Sequence, residues 1–241
     1  MISHIFSVVI YIPLYNGLIT VMDVLPFADA GVAVIVFTFL VKLVLFPLSQ
    51  RAVRTGLRMK MYETDLAAIK EKHKDNQEAY TKAVMDFYRE KKINPLSSIV
   101  LALIQIPIIL ALYYIFYRGG LPHIDTDLLY AFVRAPQVNM RFLGLIDITK
   151  GSLILAVLVA VSQYFQVRFS MPVRKQPTGG TSMKDDFGRT LNLQMRYFLP
   201  AFVGVIAYNI AGAVSLYWIT SNLFAIGQEM YVRRAHRKSL A

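Results

Sequence analysis

The sequence predicts an all-α membrane protein. Its five transmembrane helices start from an N-terminus outside and end in a cytosolic C-terminus. A cytosolic helical hairpin and an N-terminal interfacial helix complete it. Three observations lead there. Of the 241 residues, 56% are hydrophobic, above the share usual in soluble domains. Several uncharged apolar runs reach the roughly 17–25 residues a bilayer crossing needs. The net charge of +11 is concentrated in a few polar segments, as lysine and arginine are in cytoplasmic loops.

Residues 1–30 carry no Lys or Arg. The stretch MISHIFSVVIYIPLYNGL lacks the basic n-region and small-residue cleavage site of a secretory signal. Pro13 is expected to cut it short. It reads as an external interfacial amphipathic segment, with an uncleaved signal or a short span as alternatives.

The first span covers 31–50. Thirteen of the residues Val32–Leu48 are Val, Ile, Leu or Phe, together worth about −4 to −8 kcal/mol on insertion scales. One central lysine, Lys42, costs about 2.5–3.5 kcal/mol, so the segment inserts despite its charge. Residues 51–94 form the cytosolic hairpin. Val53, Leu57, Met61 and Ala68, then Tyr80, Val84, Phe87 and Tyr88, mark two amphipathic helices with a turn near Lys74–Gln77. This hairpin is either a contact arm for a partner or for headgroups, or a solvated spacer.

The second span, 95–117, is uncharged, and its interior Pro107 should kink it. The external loop 118–150 holds LLYAFV, too short to span. The third span is 151–168. A cytosolic loop, 169–195, includes a stretch rich in Pro, Gly, Ser and Thr (Arg174–Thr190). The stretch Tyr197–Val232 would be about 54 Å long as one helix, against a hydrocarbon core of about 30 Å. It must turn back, and NIAGA (Asn209–Ala213) is where small residues and a glycine cluster. The fourth and fifth spans are therefore 196–209 and 210–232, followed by the basic cytosolic tail 233–241. Segments 51–94, 168–196 and 233–241 carry 21 of the 26 Lys and Arg. The positive-inside rule puts all three in the cytosol.

Several functions are excluded or disfavoured. Without cysteine there is no disulfide, thiolate metal site or cysteine nucleophile. The four histidines share no ligand spacing, and no metal site is expected. Asp185–Asp186 has no acidic or histidine partner, and no nucleotide fingerprint or HExxH occurs. No enzyme, cofactor or DNA-binding role is expected.

Lys42 is the candidate functional residue. It could pair with an acid, although spans two to four contain none and Glu229 sits at the end of span five. It could snorkel, but helical side chains lean toward their own N-terminus, here away from the cytosol. It could face a water-filled cavity, the usual place of intramembrane ionisable residues. Neighbours favour the cavity. Thr38 shares its helix face, and Gln105, Ser162, Gln163, Thr220, Ser221 and Asn222 offer polar lining from other spans. Each of these alone reads more simply as interhelical glue. An anion or small-solute transporter using Lys42 is the rival reading.

The motifs carry a resemblance. FTFLVKLVLFPLSQRA, KINPLSSIVLALIQIPIILALYYIFY, FLGLIDIT and AGAVSLYWITSNLFAIGQ, in that order, resemble the YidC-type membrane protein insertases and their mitochondrial and chloroplast relatives. The resemblance covers about residues 13–235. It implies a core-only bacterial member, in the cytoplasmic (inner) membrane, that inserts and helps fold newly made membrane proteins. The groove implied is hydrated, positively charged at Lys42, and open to cytosol and lipid. Many bacterial members have arginine at that position. Lysine keeps the charge and loses the bidentate fork. Ile108, Leu112 and Tyr113 of span two, with Leu216, Tyr217 and Trp218 of span five, are the implied slide for a substrate helix. Nascent membrane proteins, the ribosome, a secretion (Sec) channel and membrane lipids are the implied partners.

Overall fold

Helix dominates the computed structural model, which describes residues 4–25, 29–74, 76–94, 96–118, 121–170 and 194–238. The expected Pro- and Gly-rich loop, with Asp185 and Asp186, lies outside these residues.

Helix α1 runs His4–Val24. Pro13 does not cut it, contrary to expectation. A wide π turn, Ser7–Tyr11, precedes the proline, and the Ile12 N–H donates to the Ser7 carbonyl. Pro13 then sits in the first turn of the α-helical part, where a missing N–H costs nothing.

Helix α2, Ala30–Met61, starts on an Asp29 cap whose Oδ1 accepts the Val32 N–H at 2.9 Å. It continues through Pro47 and past residue 50. The span and the start of the polar hairpin are therefore one helix. Helices α3 (Glu63–Lys72) and α4 (Gln77–Glu90) follow. In α3, Glu63 and Asp65 lie in the first turn and Lys70 and Lys72 in the last, matching the helix dipole. Asn76 caps α4 by accepting the Ala79 N–H at 3.0 Å.

The end of α4 is a Schellman turn. Lys92 has φ 51, Ile93 N–H donates to Tyr88 O at 2.9 Å, and Lys92 N–H to Arg89 O at 3.2 Å. Tyr62 and Phe87 meet edge to face at 5.5 Å. The Lys91 ammonium lies 5.9 and 5.7 Å from their centroids. Its contact with the Glu90 carboxylate raises its pKa.

Helix α5, Leu96–Tyr113, contains Pro107 and ends in a π turn, Tyr114–Arg118. A 3-10 turn, Thr126–Leu128, and a two-stranded antiparallel hairpin follow. In the hairpin, β1 (Arg141–Phe142) pairs with β2 (Ile146–Asp147), Arg141 opposite Asp147 and Phe142 opposite Ile146. Hydrogen bonds from the Thr149 hydroxyl and amide hold the Asp147 carboxyl below its usual pKa. Helix α6 is Leu153–Ser170. Helix α7, Leu199–Tyr208, is preceded by a π turn, Gln194–Phe198. Helix α8, Gly212–Lys238, runs on beyond residue 232 into the basic tail. The break between α7 and α8 falls within NIAGA.

By length and composition α1, Ala30–Met59 of α2, and α6 are able to cross a membrane. The chain forms two compact units, Met1–Leu43 with Pro107–Glu229, and Val44–Ile106 with Met230–Ala241. In the first unit Ala156 and Val159 of α6 pack with Val203 and Ala207 of α7, and Leu199, Trp218 and Ile219 flank them. Small residues permit this approach. A Cβ on Gly204 would lie 2.9 Å from that of Ala160. In the second unit Phe46 and Tyr231 are in ring contact at 6.3 Å, and Ala52, Ile93 and Val232 are buried.

Candidate functional site

Lys42 lies on α2, one turn after Thr38. It is half-buried and takes part in a polar or electrostatic interaction within the chain. It is therefore not the isolated charge that the acid-free spans suggested. Thr38 is fully buried and its hydroxyl donates to the Val34 carbonyl at 2.6 Å. In this state that hydroxyl is spent on its own helix. Near Lys42, Phe39 of α2 meets Phe224 of α8 edge to face at 5.4 Å.

Of the expected lining residues, Ser162 of α6 and Asn222 of α8 come together, within a polar ribbon that ties the two helices. Asn222 Nδ2 donates to Ser162 Oγ at 3.1 Å, and the Ser162 hydroxyl donates to Val159 O at 3.0 Å. Gln163 Nε2 donates to Gln166 Oε1 at 3.3 Å, and Gln166 Nε2 to Ser170 Oγ at 3.2 Å. The Ser170 hydroxyl donates to Glu229 Oε2 at 2.8 Å. Further along α8, Ser215 Oγ donates to Ala207 O of α7 at 3.3 Å. Ser215, Asn222 and Glu229 are all buried and seven residues apart, which is two helical turns and one face. Buried polar groups must be paired, and these are paired across helices. The Ser162–Asn222 bond joins α6 to α8, as interhelical pairing of polar side chains does.

Thr220 is half-buried and its hydroxyl donates to Leu216 O at 2.8 Å. Ser221 is buried. Gln105 belongs to the other compact unit.

Four of the six expected slide residues, Ile108, Leu112, Leu216 and Tyr217, are buried. Tyr113 and Trp218 are half-buried. A surface for a passing helix needs exposed side chains, so the four serve packing here. Among the described residues of the same helices, the exposed apolar side chains include Val100, Leu103, Ile106 and Leu110 on α5 and Leu223, Met230 and Tyr231 on α8.

Sequence reasoning missed a second polar construction, in which α1 and α2 hold the segment after α5. Asn16 is 2% exposed. Its Nδ2 donates to Leu128 O at 2.8 Å and to Ile12 O at 2.9 Å, and its Oδ1 accepts the Tyr130 N–H at 2.7 Å. The Tyr15 hydroxyl oxygen accepts the Asp125 N–H at 2.8 Å. Asp29 caps α2 with one oxygen and accepts the Leu143 N–H at 2.8 Å with the other. An asparagine inside an apolar run was the available signal. Among the described residues no His, Asp and Glu cluster could hold a metal ion.

A family model described as 60Kd inner membrane protein matches residues 22–239. The chain is 28% identical over 208 residues to proteins named membrane protein insertase YidC from Francisella tularensis subsp. novicida and subsp. tularensis. Those alignments cover 86% of this chain and 33% of the relatives, so the chain spans about a third of their length. A crystal structure titled as an active YidC insertase with its first transmembrane domain resolved superposes with a TM-score of 0.55. It is 21% identical and covers 90% of this chain and 46% of the other, a likeness of fold.

Proposed function

The chain belongs to the family described as 60Kd inner membrane protein, and from that premise we propose that it is a membrane protein insertase of the bacterial cytoplasmic membrane. The observation that carries this reading is the family match over residues 22–239, which takes in every helix from the end of α1 through α8. The relatives' name, membrane protein insertase, supplies the activity.

In this reading five segments cross the bilayer, with residues 1–30 outside and the tail in the cytosol. The cytosolic hairpin and basic loops receive a nascent membrane protein from the ribosome, alone or beside a secretion channel. The substrate's polar, often acidic, outer segment enters a hydrated groove at Lys42. A charged group in hydrocarbon is costly unless paired or hydrated, and Lys42 with its water lowers that cost. The apolar segment then passes along spans two and five into lipid. Burying about 20 apolar residues drives the step, without a cofactor. The Ser162–Asn222 and Ser170–Glu229 bonds hold α6 to α8. The work is transfer between environments, with no bond made or broken.

The test is Lys42→Leu, assayed by insertion of a small membrane protein with an acidic outer tail. We expect insertion to fall for that substrate and to survive for one with a neutral tail. Lys42→Arg should retain both. Full activity of Lys42→Leu on the acidic tail would remove the electrostatic role. Depletion separates the transporter reading, which requires loss of one solute's uptake with membrane-protein insertion intact.

A further inference from the structure

The β1–β2 hairpin is anchored at its base and apolar at its tip. At the base, the Ala30 N–H donates to Asn139 O at 2.8 Å. A Cβ on Gly31 would run into the Phe142 ring. The Gly212 and Ala213 N–H groups, which open α8, donate to Lys150 O and Ile148 O at 2.9 and 3.1 Å. The hairpin therefore sits at the N-terminal ends of α2 and α8. Helix α6 begins at Leu153, shortly after β2. Helices α2 and α6, both long and apolar enough to cross a membrane, start here.

The tip is Leu143, Gly144 and Leu145. Leu143 is 64% exposed and Leu145 85% exposed. Leu143 has φ 53 and Gly144 φ 72. The left-handed region suits glycine or asparagine and disfavours leucine. A turn meant for water would place a polar residue at Leu143.

The tip's amides point the same way. Leu143 N–H goes to Asp29 Oδ2 at 2.8 Å. Gly144 N–H goes to Arg141 O at 3.1 Å and Leu145 N–H to Phe142 O at 3.0 Å. All three donors are satisfied within the protein. Two of these are the ordinary i→i+3 bonds of tight turns; with the Asp29 contact they leave none of the three amides unpaired, as entry into an apolar phase requires. Eight residues on, the first turn of α6 also presents Leu153 and Ile154 outward, 67% and 62% exposed.

We propose that the Leu143–Leu145 tip dips into the lipid interface on the membrane face where α2 and α6 begin. Its two leucines rest among the upper acyl chains, and Arg141 and Asp147, paired across the strands, stay at headgroup level. This rests on the reading of α2 and α6 as membrane spans. The tip would then fix the depth and tilt of both helix ends.

The chain has no cysteine, so single cysteines report cleanly. An environment-sensitive fluorophore is attached at Leu145→Cys, at Gln137→Cys in the same loop, and at Val157→Cys on the exposed face of α6. Each variant is placed in phosphatidylcholine nanodiscs, which leave both faces open to solvent, and must melt like the parent. We expect the probe at 145 to be quenched by lipids with a doxyl group high in the acyl chain and shielded from iodide. The probe at 157 should also be quenched from lipid, and that at 137 by iodide. Iodide quenching at 145, with 157 still in lipid, would overturn the tip proposal and leave the spanning reading intact. Iodide quenching at both would overturn both. Shielding of 145 from both quenchers would mean a protein contact in place of lipid, and would also overturn the proposal.

Discussion

Asn16 shows how much one polar residue holds. It lies in an apolar helix, 2% exposed, and joins α1 to the segment near Leu128 and Tyr130, more than a hundred residues on. Removing its side chain leaves the Leu128 carbonyl and Tyr130 amide without partners. A buried polar group left unpaired costs about 1–3 kcal/mol. We expect both Asn16→Ala and Asn16→Asp to lower the midpoint of thermal unfolding in detergent. An ionised aspartate still accepts from Tyr130, but it buries a charge facing the Leu128 and Ile12 carbonyl oxygens. Equal melting of all three proteins would show that the clamp adds no stability. Lys42 teaches a related lesson. Its placement within an apolar run was plain in the sequence, but the interaction it makes within the chain was not.

At the scale of elements, long helices were legible and their ends were not. Hydropathy is local, so the runs from Ala30, Leu96 and Leu153 declare themselves, as does the break at NIAGA. Pro13 and the onset of polarity after residue 50 do not end their helices, because neither a proline in a first turn nor polarity by itself breaks a helix. A π turn absorbs Pro13, and α2 has no acidic residue and no breaker strong enough to end it before Met61. The ribbon of Ser215, Asn222 and Glu229 was readable from its seven-residue spacing. Its partners Ser162 and Ser170 were not, because they come from a helix some sixty residues away. The Asn16 and Asp29 clamps were hidden for the same reason.

Packing between elements gives its own prediction. Gly204 sits where α7 touches Ala160 and the Ala156 carbonyl of α6, whereas Gly56 on α2 has nothing within 4 Å of an added Cβ. Gly204→Leu should destabilise by about 1–3 kcal/mol through overpacking. Gly56→Ala should stabilise by roughly 0.5–1 kcal/mol, since glycine weakens a helix interior. Melting curves of the two variants should move in opposite directions. A shift of the same sign in both would mean that helix propensity, and not the α6–α7 contact, controls position 204.

For the whole molecule, orientation follows from where charge lies along the chain. Lys and Arg crowd into residues 51–94, and the stretch from 118 to 150 has few. Crossing the bilayer with the dense segment facing out would oppose the bias that orients membrane proteins. The hairpin α3–α4 should therefore face the cytosol and the β1–β2 hairpin the outside. The Lys42 proposal depends on this, because the groove must admit chains arriving from the ribosome. Single cysteines at Thr81 on α4 and Asp127 before the β-hairpin, both exposed, can be probed in intact bacterial cells with a membrane-impermeant maleimide. We expect Asp127→Cys to react at once and Thr81→Cys to react only after the inner membrane is opened. The reverse pattern would invert the protein, turn the basic hairpin outward and remove the cytosolic entry on which insertion at Lys42 depends. Labelling of both in intact cells would mean that the chain inserts in two orientations, and that the charge bias does not by itself orient it.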